Sequence, residues 1–172
     1  MPRIARIFVE NACNHITARG VQKDPVFKEG GDFMNYLSII HKQKIKFGCV
    51  IYCYCLMPNH IHLVLESPFG LKAMSSFMHS LNQSYAMRFN GKYDRVGHLW
   101  QNRYKNFIVL KDDYLIRLIS YVEQNPVRAG IVANPEDYPW SSYRARVLGE
   151  KNIILDNINY VLTANEYVGG QV

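Results

Sequence analysis

Two histidines separated by a single residue, His60 and His62, lie in a run of the chain that alternates like a β-strand. Because successive side chains of a strand point to opposite faces, both imidazoles are predicted to share one face. The opposite face carries Ile61, Leu63 and Leu65 and can be buried. Neutral imidazole is the commonest protein ligand for metal ions, so the pair predicts half of a metal site. A hydrogen-bonded histidine pair without a metal is the alternative on local spacing.

A helix predicted over residues 111–125 offers the other half of such a site. Its buried stripe consists of Leu115, Leu118, Ile119 and Val122. Tyr114, Tyr121 and Asn125 follow one flank of that stripe, and the last two are neighbours one turn apart. Pro126 is expected to stop the helix, because it has no backbone N–H to donate. The flank therefore presents a phenol and an amide oxygen together.

If this flank lies near the histidine strand, two imidazoles, an amide oxygen and a phenol surround a possible cation. Such a set suits attack on a phosphodiester: the cation neutralises charge on the phosphate while the tyrosine oxygen displaces one side of the phosphorus. Free tyrosine has a pKa of about 10, so the attack needs positive charge close by at neutral pH. Each residue also has a structural interpretation, since Tyr121 could be a packing residue and Asn125 could simply end the helix.

The charge of the chain favours a polyanionic partner. The 172 residues have a net charge of +6 and an isoelectric point near 9.1. Residues 150–172 carry one basic and three acidic side chains, so residues 1–149 carry 19 basic and 11 acidic ones, a net charge of +8. A nucleic-acid-binding protein needs such a basic body for phosphate contacts and counterion release. An ordinary basic surface that keeps the protein soluble is the alternative.

The elements that must position these residues alternate in type along the chain. Strands are predicted over residues 7–18, 49–56, 60–66 and 98–110, and helices over residues 32–46, 71–89 and 111–125. The second and third strands are joined through Pro58-Asn59, which is typical of a hairpin. A stripe of Leu71, Met74, Met78, Leu81 and Tyr85 predicts the buried face of the second helix. The order β-α-β-β-α-β-α predicts an α+β, ferredoxin-like sandwich with an antiparallel sheet and an added helix that carries Tyr121.

The cysteines allow two interpretations. The four are Cys13, Cys49, Cys53 and Cys55. The last three share parity along one apolar strand, which predicts buried, reduced thiols in a reducing compartment. A zinc site formed by Cys53, Cys55, His60 and His62 is the alternative, although its spacing differs from that of the usual zinc knuckle.

Several motifs occur in an order that resembles one protein family. They are MPNHIHL at residues 57–63, GHLWQNRYK at 97–105, YVEQNPVRAG at 121–130 and YPWSSY at 138–143. Together they resemble the REP-associated tyrosine transposases, members of the one-tyrosine, insertion sequence 200-like branch of the HUH single-strand DNA endonucleases. The resemblance extends over roughly residues 3–148, so it is far more specific than the histidine pair alone.

The resemblance implies a role for each residue of the suspected site. His60 and His62 would bind a divalent metal, Mg2+ or Mn2+, with Asn125 as a third, polar ligand, and Tyr121 would be the nucleophile. Members of the family cut single-stranded DNA beside a hairpin, keep the 5′ end as a phosphotyrosine, free a 3′ hydroxyl and rejoin ends by reversing the step. The expected function is thus that of a transposase, a metal-dependent single-stranded DNA endonuclease and strand transferase. A non-catalytic, structure-specific DNA-binding protein derived from a transposase is the alternative.

The resemblance also indicates residues for DNA binding. The candidates for contacts with DNA are Arg19, Arg103, Lys105 and Arg128. Trp100 and Trp140 could stack on unpaired bases, although core packing is the favoured interpretation. His15 belongs to a segment that recurs in the family, and we assign it no catalytic role.

The same reasoning sets expectations for organisation and partners. Residues 1–130 are expected to form the catalytic domain, and residues 131–172 a C-terminal appendage packed on it. The partner is expected to be single-stranded or hairpin DNA, and the protein a monomer or a homodimer. The sequence contains no run of about 18 or more apolar residues and no apolar leader at its start. We therefore expect no membrane association and a location in the bacterial cytoplasm, at the nucleoid during activity.

Overall fold

A computed structural model describes residue 9, residues 12–109 and residues 113–156 of the chain. Parts of four sequence predictions lie outside these residues: residues 7, 8, 10 and 11 of the first strand, residue 110 at the end of the fourth strand, residues 111 and 112 at the start of the third helix, and the appendage from residue 157 onward. Among the described residues, no helix combines the length and the apolar character needed to cross a membrane.

Four antiparallel strands form the sheet that carries the histidines. They are β1 (Cys13–Arg19), β2 (Val50–Met57), β3 (His60–Glu66) and β4 (Lys105–Val109), in the spatial order β2-β3-β1-β4. The connecting helices are α1 (Gly30–Phe47) and α2 (Gly70–Lys92), and α3 (Asp113–Glu123) follows β4. The predicted ferredoxin-like order of strands and helices is confirmed.

One face of the sheet is buried under α1 and α2. Its core joins the β3 side chains Ile61, Leu63 and Leu65 with aromatic residues of both helices. The predicted stripe of α2 is confirmed, since Met74, Met78, Leu81 and Tyr85 are buried and Leu71 is partly buried against the same core. Burial of this face fixes the register of β3, because a shift by one residue would exchange its two faces. The histidines are thereby held on the other face.

The helix α3 covers part of that other face. Its predicted stripe of Leu115, Leu118, Ile119 and Val122 is buried, and it packs over β2 in a second core with Cys13, Cys53, Cys55 and Val64. The sheet is therefore sandwiched between α1 and α2 on one side and α3 on the other. On its side of the sheet, α3 packs over the edge strand β2.

The prediction that three cysteines share one face of the second strand was wrong. A β-bulge at Tyr52 adds one residue to β2 opposite β3, and such an insertion changes which face the following residues occupy. Cys49 consequently lies in the core beneath α1 and α2, whereas Cys53 and Cys55 lie beneath α3. All four cysteines are buried and in the reduced form, as the sequence predicts.

The prediction of a strand over residues 98–110 was wrong in its first half. The strand β4 begins only at Lys105, and Trp100 makes a single isolated bridge to Gly20. The indole of Trp100 donates to the carbonyl of Asn82 in α2 at 3.0 Å and packs against Tyr85. These contacts hold residues 98–104 in irregular structure.

Pro126 does not stop the tyrosine helix directly. The helix α3 ends at Glu123, and Pro126 lies in the first turn of a new short helix, α4 (Asn125–Arg128). Proline is favoured there because an amide in the first turn has no helical acceptor. A single residue, Gln124, therefore separates the helix of Tyr121 from the helix that begins at Asn125.

The described part of the C-terminal appendage runs beside the edge strand β2 and includes α5 (Tyr143–Val147). The amide of Leu56 donates to the carbonyl of Trp140 at 2.9 Å, and the amide of Ser142 donates to Tyr54 at 3.0 Å. Further along, the amide of Ile51 donates to the carboxylate of Asp156 at 2.8 Å. These contacts cover an edge that would otherwise expose unpaired backbone groups.

Candidate active site

His60 and His62 lie side by side on the face of β3 opposite the core of Ile61, Leu63 and Leu65. Their ring centroids are 5.1 Å apart and their planes are nearly perpendicular. His62 is buried, with 7% of its surface exposed, and His60 is partly exposed. The predicted sharing of one face is confirmed.

The turn before β3 is fixed by hydrogen bonds to the segment that follows β1. The carbonyl of Pro58 accepts from the amide of Val26 at 2.8 Å, and the carbonyl of Asn59 accepts from the amide of Gly20 at 2.9 Å. A Cβ atom on residue 20 would lie 2.4 Å from the carbonyl oxygen of Asp24, so the close approach of these two backbone segments requires the glycine at position 20. The start of β3 is therefore held in place from outside the strand.

The side chain of Asn59 determines which nitrogen of His60 carries the proton. Asn59 Nδ2 donates to the carbonyl of Lys23 at 3.1 Å, which identifies Oδ1 as the amide atom 2.6 Å from His60 Nδ1. An amide oxygen only accepts, so Nδ1 of His60 is the donor. Nε2 of His60 then keeps its lone pair, as a metal ligand must.

His62 has a partner that the sequence analysis did not assign to the site. Its Nδ1 lies 2.9 Å from Nε2 of His15 on β1, and the two rings stack with centroids 5.2 Å apart. A signal was present in the sequence, because Cys13, His15, Thr17 and Arg19 share the parity of one strand face. What the sequence lacked was the register that brings this face against His62.

Burial lowers the pKa of all three histidines. It brings the pKa of His15 to about 4 and, with a smaller effect of Arg19, that of His60 to about 4. The pKa of His62 falls to about 3, chiefly through burial and then through His15, His60 and Arg19. The imidazoles are therefore neutral at pH 7, which is the form that binds metal ions.

The structure brings Tyr121 to the histidine face within one chain. Its ring centroid lies 6.5 Å from that of His62, and the two planes are nearly perpendicular. Tyr121 is 41% exposed, so a substrate can reach it. Tyr114, two turns earlier on α3, is 60% exposed.

Asn125 is joined to the same turn of the helix. Its Nδ2 donates to the carbonyls of Tyr121 and Val122 at 2.9 and 3.2 Å. The amide oxygen, on the other side of the group, is not the atom that makes these bonds. Asn125 therefore caps the end of α3 and keeps an oxygen that can act as a ligand.

The donor set fits a divalent cation that accepts mixed ligands. Nε2 of His60 and the oxygen of Asn125 are of the nitrogen and oxygen types that Mn2+ accepts, and phosphate oxygens and water could complete the shell of Mn2+ or Mg2+. The zinc alternative is not supported. The described part of the chain contains no group of three or more His, Cys, Asp or Glu side chains that could hold a metal ion, and Cys53 and Cys55 lie beneath α3.

Two of the four basic residues predicted to contact DNA lie on the same sheet face as the histidines. Arg19 is paired with His60 across β1 and β3, and Lys105 is paired with Thr17 across β4 and β1. Since paired residues share a face, both cations are on the histidine face. Arg103 is exposed in the irregular segment before β4.

Arg128 is the cation next to the tyrosine. Its guanidinium carbon lies 5.0 Å from the ring centroid of Tyr121, within the range of a cation–π contact. The two tryptophans, in contrast, are partly buried against the core beneath α1 and α2. Trp140 stacks on Phe33 with ring centroids 4.6 Å apart, which supports their interpretation as packing residues.

Three comparisons with known proteins give consistent results. A family model described as "Transposase IS200 like" matches residues 8–125, more than half of the chain. A Haemophilus influenzae protein described as a REP-associated tyrosine transposase is 27% identical over 131 residues, which are 69% of this chain and 73% of that protein. A solved structure of a REP-associated tyrosine transposase bound to a REP hairpin has a TM-score of 0.68 and 18% identity, covering 92% of this chain and 93% of that chain. The structural similarity is evidence of a shared fold.

Proposed function

Because the chain belongs to the family of IS200-like transposases, we propose that it is a metal-dependent single-stranded DNA endonuclease and strand transferase with Tyr121 as its nucleophile. The observation that carries this proposal is the position of Tyr121, whose ring centroid is 6.5 Å from that of His62 within one chain. An exposed phenol beside imidazoles that can hold a divalent cation suits covalent attack on a phosphodiester, because metal ions can activate a nucleophile.

His60, His62 and Asn125 would hold the divalent cation. When bound, Mg2+ or Mn2+ supplies positive charge that neutralises the charge developing on the phosphate. The residues prepare this role on their own: Asn59 keeps the proton of His60 on Nδ1, and burial keeps both imidazoles neutral by lowering their pKa.

In the proposed reaction, the oxygen of Tyr121 forms a bond to phosphorus and the bond from phosphorus to the 3′ oxygen breaks. The phenol gives up its proton to water, and the leaving 3′ oxygen takes one up as a hydroxyl. The 5′ end remains as a phosphotyrosine, and attack by a 3′ hydroxyl in the reverse direction rejoins two ends. The guanidinium of Arg128 lies beside the ring of Tyr121, and it would contribute positive charge near the phosphate that the Tyr121 oxygen attacks.

The proposed substrate is single-stranded DNA next to a hairpin. A similar fold is known for a transposase bound to a REP hairpin, and the histidine face of this chain carries Arg19 and Lys105 beside the site. These cations, together with Arg103, would contact backbone phosphates, which fix the register of DNA without reading its sequence. The contact between Tyr121 and His62 lies within one chain, which supports a tyrosine that acts in cis, on DNA bound at the histidines of its own chain. We expect such an enzyme to act at the bacterial nucleoid.

The test is formation of a covalent adduct. The protein is incubated with a hairpin-bearing single-stranded oligonucleotide and Mn2+ or Mg2+, and the products are separated under denaturing conditions. We expect an adduct from the wild-type chain that disappears in Tyr121→Phe and in His60→Ala. Tyr114→Phe is the matched control, because it removes the same atom two turns earlier on α3, and it should leave the adduct unchanged.

Two outcomes would overturn the proposal. An adduct that persists in Tyr121→Phe but disappears in Tyr114→Phe would assign the nucleophile to Tyr114. Hairpin binding without any adduct, at all metal concentrations tried, would favour a non-catalytic DNA-binding protein that keeps the transposase fold.

A further inference from the structure

His15 occupies a position that restricts its side chain on both sides. The strand β1 that carries it is central in the sheet and paired with both β3 and β4. Its ring lies between Phe107 on one side, with centroids 6.0 Å apart, and His62 on the other, with centroids 5.2 Å apart. Only the second contact includes a hydrogen bond, 2.9 Å from Nε2 of His15 to Nδ1 of His62.

This hydrogen bond gives His15 a role different from that of a third metal ligand. In a contact between two neutral imidazoles, one nitrogen donates and the other accepts. The nitrogen that His15 directs toward the site is therefore engaged with His62. His15 can act on a bound cation through the ring of His62, as Asn59 acts through His60.

We propose that His15 is a positioning residue for His62: Nε2 of His15 accepts the proton carried by Nδ1 of His62, so that Nε2 of His62 keeps its lone pair for the metal. The inference rests on the proposed metal-dependent function and extends it to a residue of a different strand. Each imidazole ligand then has its own acceptor on Nδ1, the amide oxygen of Asn59 for one and the imidazole of His15 for the other. Acceptors of this kind fix the tautomer and the orientation of a ligating histidine and raise its basicity.

Two substitutions separate the hydrogen bond from the packing of the ring. His15→Phe keeps an aromatic ring between Phe107 and His62 but removes the acceptor. His15→Gln restores an acceptor at the end of a side chain of similar reach. Phe107→Leu is the matched control, because it alters the packing on the far side of His15 and leaves both nitrogens of the hydrogen bond in place.

The first measurement needs no metal. Long-range 1H–15N spectra of 15N-histidine-labelled protein report which nitrogen of His62 is protonated. We expect the Nδ1–H form in the wild type, in His15→Gln and in Phe107→Leu, and an increased share of the Nε2–H form in His15→Phe. Thermal unfolding of each variant checks that the fold is kept.

The second measurement is the affinity for Mn2+ alone, followed by electron paramagnetic resonance. Loss of an acceptor behind a ligating histidine typically weakens metal binding by about 10–100-fold, and we expect this loss in His15→Phe with recovery in His15→Gln. His60→Ala serves as the reference for a missing ligand.

The outcomes distinguish this inference from the proposed function. If wild type and His60→Ala bind Mn2+ equally poorly, the metal site fails and the spectra alone decide the role of His15. If the wild type binds Mn2+ more tightly than His60→Ala, while His15→Phe matches the wild type in both affinity and tautomer, the metal site stands and the role of His15 is overturned.

Discussion

The guanidinium carbon of Arg128 lies 5.0 Å from the ring centroid of Tyr121. Arg128 is the last residue of the short helix α4, which begins two residues after α3 ends at Glu123. Arg128 is exposed at this position, so its charge is accessible to an incoming phosphate. A cation beside the candidate nucleophile therefore comes from the short helix that follows α3.

Removal of the Arg128 charge should slow covalent attack. A charge-assisted interaction is worth about 1.5–3 kcal/mol, which corresponds to a loss of roughly 10–160-fold in rate. We expect this loss in the rate of adduct formation by Arg128→Gln and a smaller one in Arg128→Lys. Arg88→Gln, an equal change of charge at an exposed position of α2 on the opposite side of the sheet, is the control. Equal slowing by both Gln variants would attribute the effect to overall charge.

Removal of the Asn59 acceptor should weaken metal binding without unfolding the protein. Asn59→Ala leaves Nδ1 of His60 without its partner at 2.6 Å, so the ring loses both its orientation and its fixed tautomer. We expect Mn2+ affinity to fall by about 10–100-fold. Asn59→Asp keeps an oxygen acceptor and loses the bond to the carbonyl of Lys23, and it should retain affinity. Similar losses in both variants would show that the amide–carbonyl bond matters instead.

A buried carboxylate stabilises the helix of the candidate nucleophile. Glu123, two residues after Tyr121, is fully buried and accepts from Ser142 Oγ and from Arg146 Nε, the latter at 3.2 Å. Its partner Arg146 has 11% of its side chain exposed. The pair joins the end of α3 to the C-terminal appendage.

Glu123→Ala should therefore destabilise the protein strongly. Loss of one partner of a buried ion pair leaves the other charge uncompensated and costs about 3–5 kcal/mol. Glu150→Ala breaks a surface pair with Arg144, about half exposed on each side, and should cost less than ~1 kcal/mol. The free energy of unfolding in urea checks both values. A cost for Glu123→Ala as small as that for Glu150→Ala would contradict a role in holding α3.

A second buried carboxylate ties the start of α1 to the end of α2. Asp32 is 4% exposed, and it accepts from Lys92 Nζ at 2.6 Å and from the hydroxyl of Tyr93 at 2.8 Å. Burial by itself would raise the pKa of Asp32, but these bonds and those from the backbone amides of Lys28 and Glu29 lower it overall. The folded protein therefore favours the ionised carboxylate more than the unfolded chain does.

The contribution of Asp32 to stability should depend on pH. A lowered pKa in the folded state stabilises the protein above the unfolded pKa of about 3.9 and ceases to do so as the pH falls through the folded value. We expect Asp32→Asn to cost about 1.5–3 kcal/mol at pH 7 and the difference from wild type to shrink in acid. Unfolding measured from pH 7 to pH 2 tests this, with Asp24→Asn at an exposed site as control. A difference that is constant with pH would contradict the assignment.

Local periodicity was sufficient to predict which faces of the strand β3 and the helix α3 are buried. The alternation around His60-Ile61-His62 identified the buried and open faces of β3, and the stripe beginning at Leu115 identified the buried side of α3. These predictions succeeded because the buried face of a helix or strand requires apolar side chains at the spacing of that element. This apolar spacing is visible within a short stretch of sequence. The turn at Pro58-Asn59 was likewise a local signal.

Errors arose where a distant contact overrode the local pattern. The bulge at Tyr52 moves Cys53 and Cys55 to the face beneath α3, and the alternation of the strand gave no indication of the extra residue. Trp100 bonds to α2, and the irregular segment around it delays the start of β4. Both features depend on a partner element that the local sequence does not contain.

By itself, the sequence determined which residues could do chemistry and which face of its own element each occupies, since side-chain spacing within a helix or strand follows from backbone geometry. The tertiary structure alone decided which faces meet. It paired β1 with β3 so that His15 bonds to His62, and it packed α3 against β2 so that Tyr121 reaches the histidines. These contacts join residues 47 and 59 positions apart, and their register is set by the burial of the whole sheet between its helices.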